Sequence, residues 1–497
     1  MNNKNSKARV LILYTGGTIG MMPGDRDNPA SPLVPMGRED VLKFIPNLGE
    51  RHGIYWDIRG LEGSDPLDSS DVNSSHWIMM AKAIAVEYES WDGFVILHGT
   101  DTMAYTTSGL SFIMRNLAKP VVVTGSQIPI FDERTDARLN LANALYIAGY
   151  KATGLPLVPE VTLCFGNVLL RGNRARKMSS TDLNAFDSPN YPPLGRVGEH
   201  IEIDTSLLLP PADNSKAPFS IEEALNTNVM DIGLFPGIKP SRLKALLMAE
   251  VSPNEKDEDR LEGIVMRTFG AGNAPSDPEF LNVIEEAINN GKIILNVTQC
   301  PNGMVEMGLY EASSSLLEIG VVSGLDMTPE AALTKMLWIL GYESDPTEMN
   351  LQLQINQRGE QSENLFDLRF SRYPKDDPLT IVKASAQPAG LFQREQLKRA
   401  VLRISGLRFT EASANQNFEI RIYVNLPNAN QSTSEVDPHC AAVFKGTYDP
   451  KKTLIKDITP TIQRLHEDGR RINVTVVSVV GGRIWFRGMF LSLFAKA

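Results

Sequence analysis

Val10 to Gly20 reads V-L-I-L-Y-T-G-G-T-I-G, and this stretch decides the fold. Val10 to Tyr14 is a continuous apolar run, the pattern of a strand buried on both faces of a parallel sheet. Thr15, Gly16, Gly17 and Thr18 break it at once. The glycines permit a tight turn and a close approach of a ligand to the backbone. Hydroxyls then stand at the carboxyl end of a strand, where open α/β sheets place their ligands. A dinucleotide fingerprint would need glycines at 16, 18 and 21, but the sequence has Thr18 and Met21. A phosphate-binding loop would need Gly-Lys-Ser/Thr after its spacer, and none follows. A structural βα turn and a hydroxyl nucleophile both remain open on this stretch alone.

The chain has 497 residues, room for roughly two to four domains, with the composition of an ordinary soluble globular protein. No apolar run approaches the roughly 18 residues of a spanning helix, so no membrane partner is expected. The short run before the glycines reads as a strand rather than a secretory leader. Cys164, Cys300 and Cys440 are few, odd in number and far apart, which suits a reducing cytoplasm and implies neither a disulfide framework nor a zinc motif. The net charge is −10 but uneven: residues from Ser385 onward carry 16 Lys and Arg against 9 Asp and Glu. The basic residues are scattered rather than striped, so docking onto the acidic remainder is expected rather than nucleic-acid binding.

Residues 1–200 alternate short apolar strands with helical patterns, as βαβ units do. Candidate strands are Val10–Tyr14, Gly93–His98, Val121–Thr124 and Val161–Phe165, with helices expected over Trp77–Glu87, Ala104–Leu117 and Ala137–Ile147. Residues 201–230 read as a linker, and 231–365 as a second, smaller α/β domain with strands Ile232–Phe235, Gly263–Arg267 and Ile293–Val297. Thr328-Pro329-Glu330 is a good helix start. The Pro-rich stretch 366–390 reads as another linker. Over 391–497 the period falls to two, as in Phe418, Ile420, Ile422 and Val424, and a small β-sandwich is expected. Gly481-Gly482 before Ile484–Phe494 reads as a hairpin turn. His439 and Cys440 are adjacent, but a lone pair is more often structural than a metal site.

Four polar groups fall at or near strand ends of the first unit: Thr18, the D-S-S-D run Asp68 to Asp71, Thr100-Asp101, and Lys177. Each has a bland explanation. The Asp68 run is a turn cluster, Thr100-Asp101 a helix cap, and Lys177 a solvated charge. Together they form a specific kind of site. A threonine hydroxyl needs a base. A lysine beside a carboxylate and a second hydroxyl can serve, provided partial burial lowers its pKa. Asp68 and Asp101 would hold the α-ammonium of an amino-acid substrate, and Ser69 with backbone N–H groups its carboxylate. This route to amide hydrolysis needs no metal and no organic cofactor.

The motifs T-G-G-T-I-G-M (15–21), D-S-S-D (68–71), V-I-L-H-G-T-D-T-M-A-Y (95–105), R-G-N-R-A-R-K (171–177) and G-A-G-N-A-P (270–275) resemble those of the bacterial type I, cytoplasmic L-asparaginases. The resemblance runs from about Arg9 to Glu360. It implies a two-domain α/β fold, to which the C-terminal β domain is an addition. It implies hydrolysis of L-asparagine to L-aspartate and ammonia, with Thr18 as the acylated nucleophile and Thr100, Asp101 and Lys177 as a second triad. Asp68, Ser69, Ser70, Thr100 and Asp101 would bind substrate. Asn273 would reach the site of a neighbouring subunit in a homodimer or homotetramer. A weaker glutaminase activity belongs to the same expectation, and an inactive scaffold serving the β domain is the alternative. Many members carry a tyrosine in the loop after the nucleophile, whereas Met21–Pro35 has none. The base for Thr18 is then left open, with Lys177 acting through Thr100 or a water one candidate. Some members are regulated by asparagine at a separate site. Arg267 and Cys300 lie in matching motifs here, but Arg176 stands where a regulated enzyme has Thr.

Overall fold

The side chains of β1 (Ala8–Tyr14) alternate between two cores, which is why its apolar run is unbroken. The computed structural model describes residues 7–25, 28, 31–248, 260–307, 311–362, 365–370, 379–386, 397–405, 407–449, 454–465, 472–486 and 488–495. β1 lies parallel between β2 (Ile54–Gly60) and β3 (Gly93–Leu97), and β4 (Val121–Thr124) and β5 (Val161–Phe165) extend the parallel run. Three short antiparallel strands, β6 (Val168–Arg171), β7 (Gly195–Val197) and β8 (Ile201–Ile203), complete a mixed sheet of order β8-β7-β6-β5-β4-β3-β1-β2. Leu11, Leu13, Phe94 and Ile96 face Trp77, Met80 and Ile84 of α1 (Ser74–Glu87) and Leu110 and Ile113 of α2 (Met103–Ile113). Val10, Ile12, Val95 and Leu97 face Leu141 and Leu145 of α3 (Ala137–Ala148). Each buried aliphatic side chain contributes about 1.5–3 kcal/mol on removal from water.

The stretch 201–230 is not a free linker. Ile201–Ile203 is the edge strand β8, and Ser220–Ile221 pairs with Met114–Arg115. Its Pro and Asp content masks two short segments whose backbone groups are paired with the body.

The second sheet is parallel in sequence order: β9 (Val229–Gly233), β10 (Gly263–Thr268), β11 (Ile293–Thr298) and β12 (Val322–Ser323). Helices α4 (Pro240–Leu247), α5 (Pro278–Asn289) and α6 (Pro329–Tyr342) accompany it. α6 starts as its sequence implies, the Thr328 hydroxyl accepting from Ala331 N at 3.1 Å with Pro at the first helical position. It is buried almost all round because it serves two cores: Leu337 joins the α1–α2 core, while Met336 and Ile339 join that of the second sheet. The Trp338 and Phe112 rings stack at 5.6 Å. A buried pair, Arg174 to Asp326 at 2.9 Å, ties the two sheets into one unit.

The remaining unit, described by itself, has two four-stranded antiparallel sheets. One is ordered β13 (Leu365–Phe370), β20 (Gly488–Ala495), β15 (Leu397–Ser405), β18 (Leu454–Asp457). The other is β14 (Ile381–Ala386), β19 (Ile472–Val480), β16 (Asn417–Val424), β17 (Cys440–Thr447). Leu402, Leu491 and Leu493 of the first share a core with Ile420, Ile422, Val474 and Val476 of the second. Two sequence readings need correction. The stretch 366–390 supplies most of β13 and all of β14; its residues 371–378 and 387–390 lie outside the described residues. Gly481-Gly482 does not close a hairpin. After it Ile484–Trp485 pairs with Arg408–Phe409, and β20 enters the opposite sheet. Both glycines have positive φ, 111° and 82°, and a Cβ on Gly481 would lie 2.6 Å from the Phe409 ring, so the tight path between sheets requires them. His439 Nδ1 lies 2.8 Å from Val424 O, and Cys440 Sγ approaches Ala442 O at 3.8 Å.

Candidate active site

The carboxyl ends of β1 and β3 meet through glycine backbone. Gly16 and Gly17 have φ of 110° and 81°, and Gly17 N donates to Leu67 O at 2.8 Å while Leu67 N donates to Thr15 O at 2.9 Å. A Cβ on Gly17 would lie 2.2 Å from Gly99 N, one on Gly16 2.3 Å from Leu67 O, and one on Gly99 2.6 Å from Ser69 Oγ. Three loops, 15–18, 67–70 and 98–101, therefore interlock at a distance that only glycine permits. Thr18 and Thr100 each follow a residue of this contact in sequence. Thr18 opens a turn of 3₁₀ helix, Thr18–Gly20, and is half-buried, with its neighbour Ile19 in the core.

Lys177 comes from a two-residue strand, Arg176–Lys177, paired with Phe186–Asp187. Its Nζ donates to Thr100 Oγ1 at 2.8 Å and to Asp101 Oδ1 at 2.7 Å. Thr100 is buried, whereas the Asp101 carboxylate is 66% exposed and open to a ligand. The cap and solvated-charge explanations thus fail for this trio: Asp101 and Thr100 point their side chains at one ammonium. Ser69 braces the loops, its Oγ accepting from Asp101 N at 3.2 Å and its carbonyl from Thr102 Oγ1 at 2.6 Å. Asp68 is exposed and behaves as a turn cap on one oxygen, Oδ1 accepting from Ser70 N and Ser70 Oγ, both at 2.9 Å. Asn273 sits on the turn after β10, its backbone paired with Phe269, and none of its hydrogen bonds reaches Thr18 or Lys177. Its Oδ1 is buried without a partner among the described residues.

Two supporting groups have no role in the sequence reading. Gln127 Oε1 accepts from Thr100 Oγ1 at 3.4 Å, and Gln127 Nε2 donates to Asp182 O at 3.0 Å. The other is His98, fully buried beneath the Gly99 turn. Trp77 Nε1 donates to Thr106 Oγ1 at 3.0 Å, Thr106 Oγ1 lies 3.0 Å from His98 Nε2, and His98 Nδ1 lies 2.7 Å from Gly99 O. An indole N–H only donates and a carbonyl only accepts. Direction is therefore set at both ends: Thr106 donates to Nε2, and Nδ1–H donates to Gly99 O. Burial pulls the imidazole down to about 4, against the Gly99 hydrogen bond, so it is neutral at pH 7. The signal for both groups was their place in strand-end motifs, H-G-T-D and T-G-S-Q.

The loop after Thr18 forms a short hairpin, Met21–Pro23 with Leu33–Pro35. Tyr14 lies behind its base, with Oη 3.2 Å from Gly20 O and 2.9 Å from Met36 O. Burial raises this phenol well above its ordinary range, so it cannot replace the absent loop tyrosine as a base. On the other face of the Lys177 strand, Arg176 Nε lies 3.7 Å from Glu330 Oε1, and Arg267 Nε pairs with Asp231 Oδ1 at 2.8 Å. Burial raises the Glu330 carboxyl above the usual carboxylate range.

A mixed sheet and a smaller parallel sheet, with a Thr-Lys-Asp cluster at glycine-locked strand ends, define a two-sheet α/β enzyme body. The chain belongs to the asparaginase family: the model described as "Asparaginase, N-terminal" matches residues 9–209, and that described as "Glutaminase/Asparaginase C-terminal domain" matches residues 228–352. It is 38% identical over 356 residues to L-asparaginase 1 of Escherichia coli K12, covering 71% of this chain and 98% of that one. It is 37% identical over 350 residues to the human 60 kDa lysophospholipase, covering 67% of this chain and 58% of that one. The crystal structure of L-asparaginase I from Vibrio cholerae matches at a TM-score of 0.62 and 38% identity, over 72% of this chain and 99% of that one.

Proposed function

We propose that this chain hydrolyses L-asparagine to L-aspartate and ammonia through a Thr18 ester. The observation that carries the reading is Lys177 Nζ, 2.8 Å from Thr100 Oγ1 and 2.7 Å from Asp101 Oδ1, beside the turn that presents Thr18. In the first step Thr18 Oγ1 attacks the side-chain amide carbon. Its proton passes toward Lys177 through Thr100 or a water, and the C–N bond breaks as ammonia leaves with that proton. Water then cleaves the β-aspartyl ester and restores Thr18. Backbone N–H groups of the glycine turn stabilise the oxyanion. Asp101 and Asp68 take the substrate ammonium, and Ser69 and Ser70 its carboxylate.

In this reading glutamine is a weaker substrate, no cofactor is required, and the enzyme works in the cytoplasm as a homodimer or homotetramer, Asn273 completing the site of a second copy. Among the described residues no helix is long and apolar enough to cross a membrane. The β domain serves as an assembly or covering module. The test is Thr18→Ala, which is expected to lower ammonia release from asparagine by at least about 10³-fold. Wild-type rates in that variant would end the reading. The relatives named for lysophospholipase match the same body, and attack on a carboxylic ester would use the same hydroxyl. Fatty-acid release from lysophosphatidylcholine at a higher kcat/KM than asparagine turnover would replace the substrate assignment.

A further inference from the structure

Away from Thr18, a cavity of about 280 Å³ opens where α2 ends, lined by Met114, Leu117, Val161, Leu209 and Ala212 and by Arg358. The other charged pair on its wall is spent. Arg171 Nε donates to Glu160 Oε2 at 2.6 Å, Arg171 Nη2 donates to Leu207 O at 2.7 Å, and Glu160 Oε1 accepts from Leu209 N at 2.9 Å. Asn116 and Ser111 also have their donors engaged, on Pro218 O at 3.0 Å and Thr107 O at 2.7 Å.

Arg358 differs. Its guanidinium donates through Nη1 to Gln357 O at 2.8 Å, and no carboxylate pairs with it among the described residues. The nearby Glu360 carboxylate is fully buried and taken by Lys335 Nζ at 2.6 Å and by the backbone N–H groups of Gln357 and Arg358. Those contacts fix the Arg358 backbone in place: its N–H is held by Glu360, and its carbonyl accepts from Asn173 Nδ2 at 2.9 Å. Burial lowers the guanidinium from its ordinary range. The guanidinium is half-buried, lies 5.9 Å over the Trp338 ring and meets no carboxylate among the described residues, so on its fixed backbone it can meet an incoming anion in a charge-assisted hydrogen bond.

We propose that this cavity is a binding site for a small organic monocarboxylate, its carboxylate on Arg358 Nε and Nη2 and its aliphatic body against Met114, Leu117 and Leu209. The volume suits a compact ligand, at the lower end of small-molecule pockets. A single uncompensated charge selects a monoanion over a dianion. The site is separate from Thr18 and is independent of the substrate assigned there.

The test is isothermal titration of the full chain with 4-methylpentanoate and with the uncharged 4-methylpentanamide. Wild type and Thr18→Ala are expected to bind the acid alike, and the amide at least about tenfold more weakly. Arg358→Gln removes the anion anchor, and Ala212→Phe fills the cavity from another wall; each is expected to weaken the acid by at least about tenfold. Equal affinity for acid and amide, wild-type affinity in both cavity variants, or no binding of the acid would each overturn the proposal. Loss in Thr18→Ala with retention in Arg358→Gln would also overturn it, by placing the ligand at Thr18.

Discussion

Both α/β sheets of the body end their strands in polar, glycine-containing turns, yet the two sets of ends are used differently. In the second sheet the polar groups answer one another. Thr268 Oγ1 donates to Asn296 Oδ1 at 2.7 Å, Thr298 Oγ1 to Gly270 O at 2.7 Å, and Gln299 Nε2 to Leu234 O at 2.6 Å. In the first sheet the glycines hold the loops together by backbone contact, and the side chains of Thr100 and Asp101 meet on Lys177 instead of on one another. On the proposed function, strand-end side chains that bond one another brace this body, and those gathered on one amine carry the chemistry.

The strongest way to break this comparison is Lys177→Met. It is expected to cut kcat for asparagine by about 10²–10⁴-fold while the Tm stays close to wild type, since Lys177 answers an exposed carboxylate. A large fall in Tm with kcat preserved would make the trio a brace like that of the second sheet.

Next in size is a pH effect on stability. His98 has a folded pKa of about 4, below its unfolded value of 6.5, so the unfolded chain binds more protons between these values. Its contribution is present above the unfolded pKa and is lost as pH falls toward the folded one, on the order of 2 kcal/mol between pH 7 and pH 5. Urea midpoints measured across that range should fall for wild type and fall less for His98→Gln; equal slopes would refute the assignment. The smallest effect is expected from Thr268→Val, about 0.5–1.5 kcal/mol of stability with kcat/KM unchanged, read from denaturant unfolding and asparagine turnover. A fall in kcat/KM without destabilisation would show that the second sheet also serves the chemistry.

Much of this was legible in the sequence because double burial leaves an unmistakable mark. Val121–Thr124 and Val161–Phe165 are strands with the bounds their apolar runs suggest. The antiparallel strands β6 to β8 were not, because β6 follows β5 after only Gly166 and Asn167, and β7 and β8 each carry a charged residue, Arg196 or Glu202, at their centre. Gly481-Gly482 misled because a turn signal is local, whereas the choice of partner strand depends on distant residues such as Phe409. At the site, residue types announced a hydroxyl, a carboxylate and an amine. The interlock of Gly17 with Gly99 and of Gly16 with Leu67 depends on separations of more than 50 positions that spacing cannot express.

The chain from Trp77 through Thr106 and His98 to Gly99 has one further consequence. Proton wires work because each member can pass a hydrogen on and receive another from behind. Here the indole has no acceptor to be refilled from, and the carbonyl has no hydrogen to hand forward. A histidine two residues before Thr100 is thus wired as an insulator, and no proton finds an exit along it.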